Sequence, residues 1–410
     1  MNSFFKYLGG DKNVWVITLL LSVLSVVSVY SFIPILVKVK GLSYSYLFFK
    51  HFILLFLGLG IMYAVHKVPI KVYSRLSKIL FYLAIVLLVL TMLVGESVNG
   101  ADRWLKIPFV PFSFQTSDFA KLALIIYLSR QLIKRKDQFD DFKVVARYIL
   151  LPIGLVIFLI LPSNLSTAVL VGLIAFVMLV LARFPWKWIG ASAAAVIIMF
   201  SMLLGIAKVS PDVLPRVETW RMRLVRMFDD EQAMDPNENM QINNALTAIK
   251  NGAFTFKNGT LYGPELPGNG VLKHYIPEAY ADFYFAALVE EGGLPTAIFV
   301  IMLYLWLFYR FIKIALAANN DFATLVALGI AFMVISQALV NMMVSTKLMP
   351  VTGQNMPLLS MGGTSAWFTC IAFGIVLGIS RENTKETPRK ESANKLDQSS
   401  DTKKEINEED

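Results

Sequence analysis

The sequence has little charge and almost no cysteine or histidine. Of its 410 residues only 16% are charged, three are histidines and one is a cysteine. One cysteine excludes an intramolecular disulfide framework, and three scattered histidines argue against a histidine-based metal site. No glycine-rich phosphate-binding loop precedes a lysine. A soluble domain would carry about 25% charged residues, so a largely soluble chain is excluded as well.

Long apolar runs take the place of the missing charge, since 56% of the residues are hydrophobic. A membrane span needs ~20 apolar residues, and ten runs qualify. The sequence therefore predicts an all-α polytopic membrane protein with ten transmembrane helices. The predicted spans are 13–34, 47–66, 76–95, 115–132, 146–162, 165–183, 188–208, 283–309, 322–343 and 364–380.

The basic residues predict the orientation. The net charge is +9, but Lys and Arg are concentrated in the short gaps between alternate apolar runs. The loops predicted on the same side of the membrane as the N-terminus hold fourteen of these residues, and the short loops on the other side hold five. This asymmetry is typical of the positive-inside rule, so it predicts that both termini are cytoplasmic and argues against nucleic-acid binding.

Three regions lie outside or between the spans. Residues 1–12 are predicted to be a cytoplasmic N-terminus, followed by a membrane core over 13–380. A long extracytoplasmic loop, 209–281, separates the seventh and eighth spans, and its segment 241–252 is predicted to be a helix ended by Gly252. Residues 381–410 have almost no apolar side chains and are predicted to be a disordered cytoplasmic tail.

Charged side chains occur where a membrane span should have none. Asp282 lies at the outer start of the eighth span, and Glu290 and Glu291 follow within it. Intramembrane charges are costly and either pair or line a functional cavity. Asp282 is therefore either a helix N-cap or a reactive carboxylate. Lys121 is expected to pair with Asp118, three residues away on the same helix, or with Glu290.

One neighbouring segment predicts a kink, and two other features leave alternatives open. The segment "GGLP" (292–295) predicts a kink in the eighth span. The segment "KLMPVTGQNMPLLSMGGTS" (347–365) is either backbone that approaches a ligand or a connector buried in protein. The outer cations Arg103, Lys106, Arg216 and Lys347 bind either lipid headgroups or a pyrophosphate.

Three motifs together resemble the SEDS family (shape, elongation, division and sporulation). "NGADRWL" with "FSFQTSDFAKLALIIYLSR" (99–105, 112–130) is similar to the family's Asn-Gly-Arg-Trp and Gln-Pro-Ser-Glu signatures. "YIPEAYADFYFAALVEEGGL" (275–294) resembles its PEAHTDFIFA…EELG motif, and "LMPVTGQNMPLLSMGGTS" (348–365) resembles LLPVTGLPLPFISYGGSS. The first apolar run is more similar to the division polymerases of the family than to the elongation polymerases.

The resemblance implies a peptidoglycan glycosyltransferase that polymerises lipid II into glycan strands at the outer face of the cytoplasmic membrane. Asp282 matches the family's catalytic aspartate, and the resemblance is compatible with its also holding a divalent cation, Mg or Mn. Asp118, Glu290 and Glu291 are assigned to ion pairs or proton transfer. The substrate-binding candidates are Arg103, Lys106, Lys121, Arg216, Glu278, Gly353, Ser360, Gly362 and Gly363.

The sequence departs from the family pattern at several positions. Asp118 replaces a glutamate, Asn164 replaces an acid, and Tyr280 and Ala281 replace His and Thr beside Asp282. The family also implies partners: a class B penicillin-binding protein that supplies transpeptidation, the nascent glycan strand and other division proteins. A transpeptidase helix is expected to dock on "GGLP" (292–295) and on Ala327, Gly329 and Ala331; the alternative is that these small residues pack the chain's own helix bundle. A lipid II flippase, an elongation polymerase and a non-catalytic division scaffold remain as alternatives.

Overall fold

The computed structural model describes residues 8–41, 43–98, 101–106, 113–194, 201, 236–252, 255–257, 260–262, 282–360 and 363–384. The side chains of some residues within these ranges lie outside the description. The described chain is mostly helical, which confirms the predicted fold class in outline.

The first three helices are α1 (Lys12–Lys40), α2 (Tyr44–Val65) and α3 (Ile70–Val94). Their boundaries follow from capping chemistry. The Asp11 carboxylate accepts hydrogen bonds from the backbone N–H groups of Asn13 and Val14 at the start of α1, as an N-cap should. Gly41 ends the same helix with a φ of 65°, a left-handed conformation that glycine adopts without steric cost.

The next group comprises α4 (Thr116–Lys134), α5 (Phe142–Ile160, with a π-helical turn over Ala146–Leu150), α6 (Leu165–Leu181) and α7, described over 186–194. A tight reversal at 162–164 separates α5 from α6. Asn164 ends it by accepting a hydrogen bond from the backbone of Thr167 at 3.1 Å, so this asparagine is the N-cap of α6.

The last group comprises α8 (Pro236–Gly252), α9 (Tyr284–Leu316), α10 (Asp321–Ser345) and α11, which covers 365–384. The predicted loop helix ending at Gly252 is therefore confirmed as α8. The predicted kink is also confirmed, because Gly293 interrupts α9 with φ 71° and ψ −177°. The boundary predicted for the tail at 381 is early, since α11 continues to residue 384; the rest of the tail lies outside the described residues.

Six described helices are long and apolar enough to cross a membrane: α1, α2, α3, α5, α9 and α10. Helix α6 is apolar but shorter. The chain is thus an integral membrane protein. The predicted fourth and tenth spans coincide with α4 and α11, and the seventh is described only as far as residue 194. The count of ten spans stays a prediction.

Two small sheets were absent from the all-α prediction. Strands β1 (Glu96–Val98), β2 (Ala101–Lys106) and β3 (Ser113–Gln115) form an antiparallel sheet in that order, and β3 leads directly into α4. Strands β4 (Thr255–Lys257) and β5 (Thr260–Tyr262) form a hairpin. Most of these strands have three residues, which is too short for an alternating pattern to be recognised in the sequence.

Helix α8 packs on the first turns of α9 at very close range. Its buried face carries Ile242, Ala245 and Ala248, and a Cβ atom added to Gly252 would lie 2.0 Å from the Val289 carbonyl oxygen. Only a glycine lets the two backbones approach this closely. The loop helix is therefore part of the packed structure.

Small residues of α10 pack inside the protein. Ala327, Gly329 and Ala331 are buried, so the prediction that they form a docking surface for a partner helix is wrong. Gly329 faces α4 and α6, where an added Cβ would lie 2.7 Å from Ile125 Cγ2 and 3.1 Å from the Met178 sulfur. In this bundle small side chains let neighbouring helices of the same chain approach each other.

We predict that Gly329→Ala destabilises the folded chain by about 1–3 kcal/mol, because the new methyl group overpacks the contact with Ile125. The measurement is the melting temperature of the protein in detergent. Gly60→Ala is the matched control: Gly60 lies in α2 with open space around its Cα, so its melting temperature should not fall. Equal melting temperatures for the two variants would contradict the packing described.

Candidate functional site

Asp282 lies in the turn that precedes α9. It is half-buried, and the three residues after it, Phe283, Tyr284 and Phe285, are buried. The N-cap position of α9 belongs to Phe283, which makes no side-chain capping bond. The alternative that Asp282 occupies the N-cap is therefore not what the structure shows.

Asn341 of α10 holds this turn in place. Its Nδ2 donates to the backbone carbonyl of Asp282 at 3.0 Å and to the backbone carbonyl of Gln354 at 2.9 Å. Its Oδ1 accepts a longer bond, 3.4 Å, from the backbone N–H of Phe285. Asn341 was not among the site residues predicted from the sequence. The only local signal was a polar residue within an apolar helical run.

A second buried amide continues the network to α6. The Gln354 side chain donates through Nε2 to Thr167 Oγ1 at 2.6 Å, and Thr167 is the residue whose N–H is capped by Asn164. Asn164, Thr167, Gln354 and Asn341 are all buried. Neutral hydrogen bonds therefore link the start of α6, the segment after α10 and the turn that carries Asp282.

The segment 347–360 is an irregular connector that is mostly buried over 352–360, while Lys347 and Leu348 at its start are exposed. The alternative that its backbone approaches a ligand stays a prediction. Tyr304 donates its hydroxyl to the Pro357 carbonyl at 2.5 Å, and Ser25 donates to the Leu359 carbonyl at 2.9 Å. Ser360 Oγ accepts a bond from the Met356 N–H at 2.8 Å. Irregular backbone at membrane depth needs such internal partners.

Three residues of this connector adopt left-handed backbone conformations, the first being Lys347 with a φ of 60°. Gly353 has a φ of 65° and Leu358 a φ of 63°. Glycine adopts the left-handed conformation without steric cost, whereas the backbone of Leu358 is strained there by about 1 kcal/mol or more. Gly363, just beyond, has a φ of 56° and open space at its Cα. The roles of Gly353, Ser360 and Gly363 in substrate binding stay predictions.

Lys121 and Asp118 form an ion pair inside the bundle. Lys121 Nζ lies 2.7 Å from Asp118 Oδ1, and both side chains are buried, so the predicted pairing with an acid is confirmed for Asp118. The second carboxylate oxygen of Asp118 makes no hydrogen bond with the described residues. Glu290 is buried and Glu291 half-buried on the segment of α9 that precedes the break at Gly293.

Several predicted site residues cannot be placed. Arg216, Glu278 and Gly362 lie outside the described residues. Arg103 and Lys106 belong to β2, but their side chains lie outside the description. The pairing of Trp104 with Gln115 does bring that strand next to the start of α4, three residues before Asp118.

The described carboxylates do not by themselves form a metal site. Among the described residues no three His, Cys, Asp or Glu side chains come together. The Asp282 carboxylate alone supplies fewer oxygen ligands than a divalent cation normally takes from a protein site. Glu278, a second acid near it in the sequence, lies outside the described residues. The divalent cation stays a prediction, and no step below is routed through it.

The family of the chain follows from its match to a family model. The model of the cell cycle proteins FtsW, RodA and SpoVE matches residues 11–385. This chain belongs to the FtsW/RodA/SpoVE family. The resemblance to the SEDS family predicted from the three motifs is thus confirmed, and the matched range contains every described element from α1 to α11.

Curated relatives in the FtsW/RodA/SpoVE family carry the name of its division branch. A protein of Halomonas elongata named "Probable peptidoglycan glycosyltransferase FtsW" is 30% identical over 347 residues, which cover 83% of each chain. A relative with the same name in Polynucleobacter necessarius is 30% identical over 384 residues, or 90% of this chain and 85% of that protein.

Solved structures show the same fold. A chain from a structure described as a peptidoglycan synthase complex that coordinates polymerization and crosslinking superposes with a TM-score of 0.70 and 24% identity, covering 91% of this chain and 98% of that one. The rod shape determining protein RodA of Thermus thermophilus superposes with a TM-score of 0.62 and 22% identity, covering 92% and 99%.

We predict that Lys121→Met lowers the stability of the folded chain by about 3–5 kcal/mol, because it leaves the Asp118 carboxylate buried without its cation. The measurement is the melting temperature in detergent. The double variant Asp118→Asn/Lys121→Met should recover part of the loss.

The matched control is Lys187→Met. Lys187 also lies 2.8 Å from an acid, Asp140, but both side chains are exposed. That hydrogen bond lowers the pKa of Asp140, yet solvent screens exposed pairs, so the melting temperature should stay unchanged. A loss for Lys121→Met no larger than for Lys187→Met would refute the buried pair.

Proposed function

We propose that this chain is a peptidoglycan glycosyltransferase that polymerises lipid II for septal synthesis in cell division. The observation that carries the proposal is Asp282, the position that matches the family's catalytic aspartate, held at the head of α9 by Asn341. Relatives named FtsW across most of the chain support the division role over that of an elongation polymerase.

In the proposed reaction the 4-hydroxyl of an acceptor N-acetylglucosamine attacks C1 of the donor N-acetylmuramic acid. A new glycosidic bond forms, the bond from C1 to the undecaprenyl pyrophosphate breaks, and the lipid diphosphate leaves with the bonding electrons. Asp282 takes the proton of the attacking hydroxyl as the general base. Its half-buried position suits a group that must meet a substrate and still be held rigidly.

Cations are needed where the diphosphate leaves, because negative charge develops there. Arg103, Lys106 and Arg216 are our proposed ligands for it. Lys121 has a different part in this proposal: since its ammonium is paired with Asp118 at 2.7 Å, it neutralises a buried acid inside the bundle. Gly353 and Ser360 lie on that connector.

We further propose that the chain lies in the cytoplasmic membrane with Asp282 at the outer face and both termini inside. The arrangement of the helix ends supports this. The starts of α6 and α9 lie at the Asp282 end, joined by the hydrogen bonds of Thr167, Gln354 and Asn341, while Arg183 and Arg310 lie at or near the opposite ends of these helices. A basic end of a bundle belongs in the cytoplasm under the positive-inside rule.

A class B penicillin-binding protein is the proposed partner, because polymerised strands need crosslinking. A structural neighbour belongs to a synthase complex that coordinates polymerization and crosslinking, which supports this pairing. With the α10 residues buried, the remaining part of the expected docking surface is the exposed face of α9. Leu294, Ile298 and Met302 lie there, 46%, 48% and 57% exposed.

We predict that Asp282→Asn abolishes polymerisation of labelled lipid II while the chain keeps its melting temperature. The backbone carbonyl that binds Asn341 is retained, but an amide cannot take up the proton. Asp137→Asn is the control, since Asp137 is an exposed carboxylate in the turn after α4, and this variant should polymerise normally.

Strand synthesis by Asp282→Asn near the wild-type rate would rule out Asp282 as the base. A variant that moves lipid II without forming polymer would favour the flippase, and an inactive wild type would favour the scaffold.

We predict that Ile298→Trp and Met302→Trp weaken co-purification of the transpeptidase, because a bulkier side chain prevents close approach of its membrane helix. The matched control is Leu173→Trp, since Leu173 is 50% exposed on α6. Partner recovery should stay high for the control. If all three variants recover the partner equally, the docking surface is elsewhere.

A further inference from the structure

We infer that Asn341 is a positioning residue for Asp282, and that it sets the orientation of the carboxylate by holding the backbone of its turn. The inference rests on the proposed function of Asp282 and extends it to a residue on another helix. It also includes Gln354 and Thr167, which are linked to Asn341 by hydrogen bonds, among the residues that hold this turn.

The chemistry of its neighbours leaves the Asn341 amide only one orientation. Two of its partners are backbone carbonyls, of Asp282 and Gln354, which can only accept hydrogen bonds. The third is the backbone N–H of Phe285, which can only donate. A primary amide offers two donors and an acceptor in one plane, so the group matches this set of partners without carrying charge. Asn341 is fully buried, and each of these groups would be costly to leave unsatisfied.

The head of α9 needs this support because the helix cannot position itself. Gly293 interrupts the helix nine residues after it begins at Tyr284, so the long apolar part of α9 does not rigidly orient its first turns. Phe283 at the N-cap supplies no side-chain bond. Asn341 provides the missing cap from α10 through its contact with Phe285, and it binds the Asp282 carbonyl from the same amide.

The support extends beyond a single residue. Asn341 binds the carbonyl of Gln354, and the Gln354 side chain donates to Thr167 on α6 at 2.6 Å. A shift of the connector would therefore move the amide that holds Asp282. The reacting carboxylate takes its position from α10 and α6, both of which are packed in the core.

The experiment compares Asn341→Ser, Thr167→Val and Ser345→Ala in the full chain, using the preparation in which the wild type polymerises labelled lipid II. A serine hydroxyl has one proton and can satisfy at most one of the two carbonyls. Valine keeps the shape of threonine but cannot accept the Gln354 bond. Ser345 is the control: it is buried one turn along α10, and its hydroxyl makes no hydrogen bond with the described residues.

We expect Asn341→Ser to lower kcat by about 10- to 100-fold, with KM within twofold of the wild type, because a displaced reacting group costs rate more than binding. Thr167→Val should lower kcat about 3- to 10-fold, also with KM unchanged, as a milder displacement of the same kind. Ser345→Ala should leave both constants unchanged. A merely structural role would lower the melting temperature and the folded yield but leave kcat per folded molecule as in the wild type.

The outcomes separate this inference from the function on which it rests. If Asp282→Asn is inactive but Asn341→Ser has a kcat within twofold of the wild type, the positioning role is wrong and the proposed base stands. If Asn341→Ser does not fold, Thr167→Val decides, and a kcat within twofold then overturns the inference. If Asp282→Asn is active, the proposed base itself fails.

Discussion

Backbone amides and carbonyls that are buried away from water must find partners within the protein. Helices meet this requirement locally, but the turn at Asp282 and the connector at 347–360 do not. Their carbonyls are instead satisfied by side chains from distant parts of the chain: Asn341 at Asp282 and Gln354, Tyr304 at Pro357 and Ser25 at Leu359. The arrangement of the site therefore depends on a few buried neutral donors.

Local features of this structure were predictable from the sequence. The pairing of Asp118 with Lys121 followed from their spacing on one helix, and the break in α9 followed from two glycines and a proline. The end of α8 at Gly252 followed from helix-stop chemistry. Each depends on residues within a few positions of each other, so a pattern in the sequence was sufficient.

Contacts between distant residues were not predictable in the same way. Asn341 and Asp282 are 59 positions apart, and Gln354 and Thr167 are 187 apart. Nothing in the sequence around Asn341 indicates which carbonyl it will meet. The small residues of α10 led to a wrong prediction for a related reason. Ala327, Gly329 and Ala331 suit a partner helix and a neighbouring helix of the same chain equally well. Only their burial distinguishes the two.

The break at Gly293 has a mechanical consequence for an enzyme that works in a bilayer. A span adapts to a thicker or thinner bilayer by changing its tilt, and an unbroken helix would carry that tilt to the end next to Asp282. Here the break at Gly293 divides the helix, so the direction of its first nine residues is set by their own contact with Asn341 of α10 and not by the tilt of the long part. The turn that carries Asp282 is thereby less coupled to a change in the tilt of α9 than it would be on an unbroken helix.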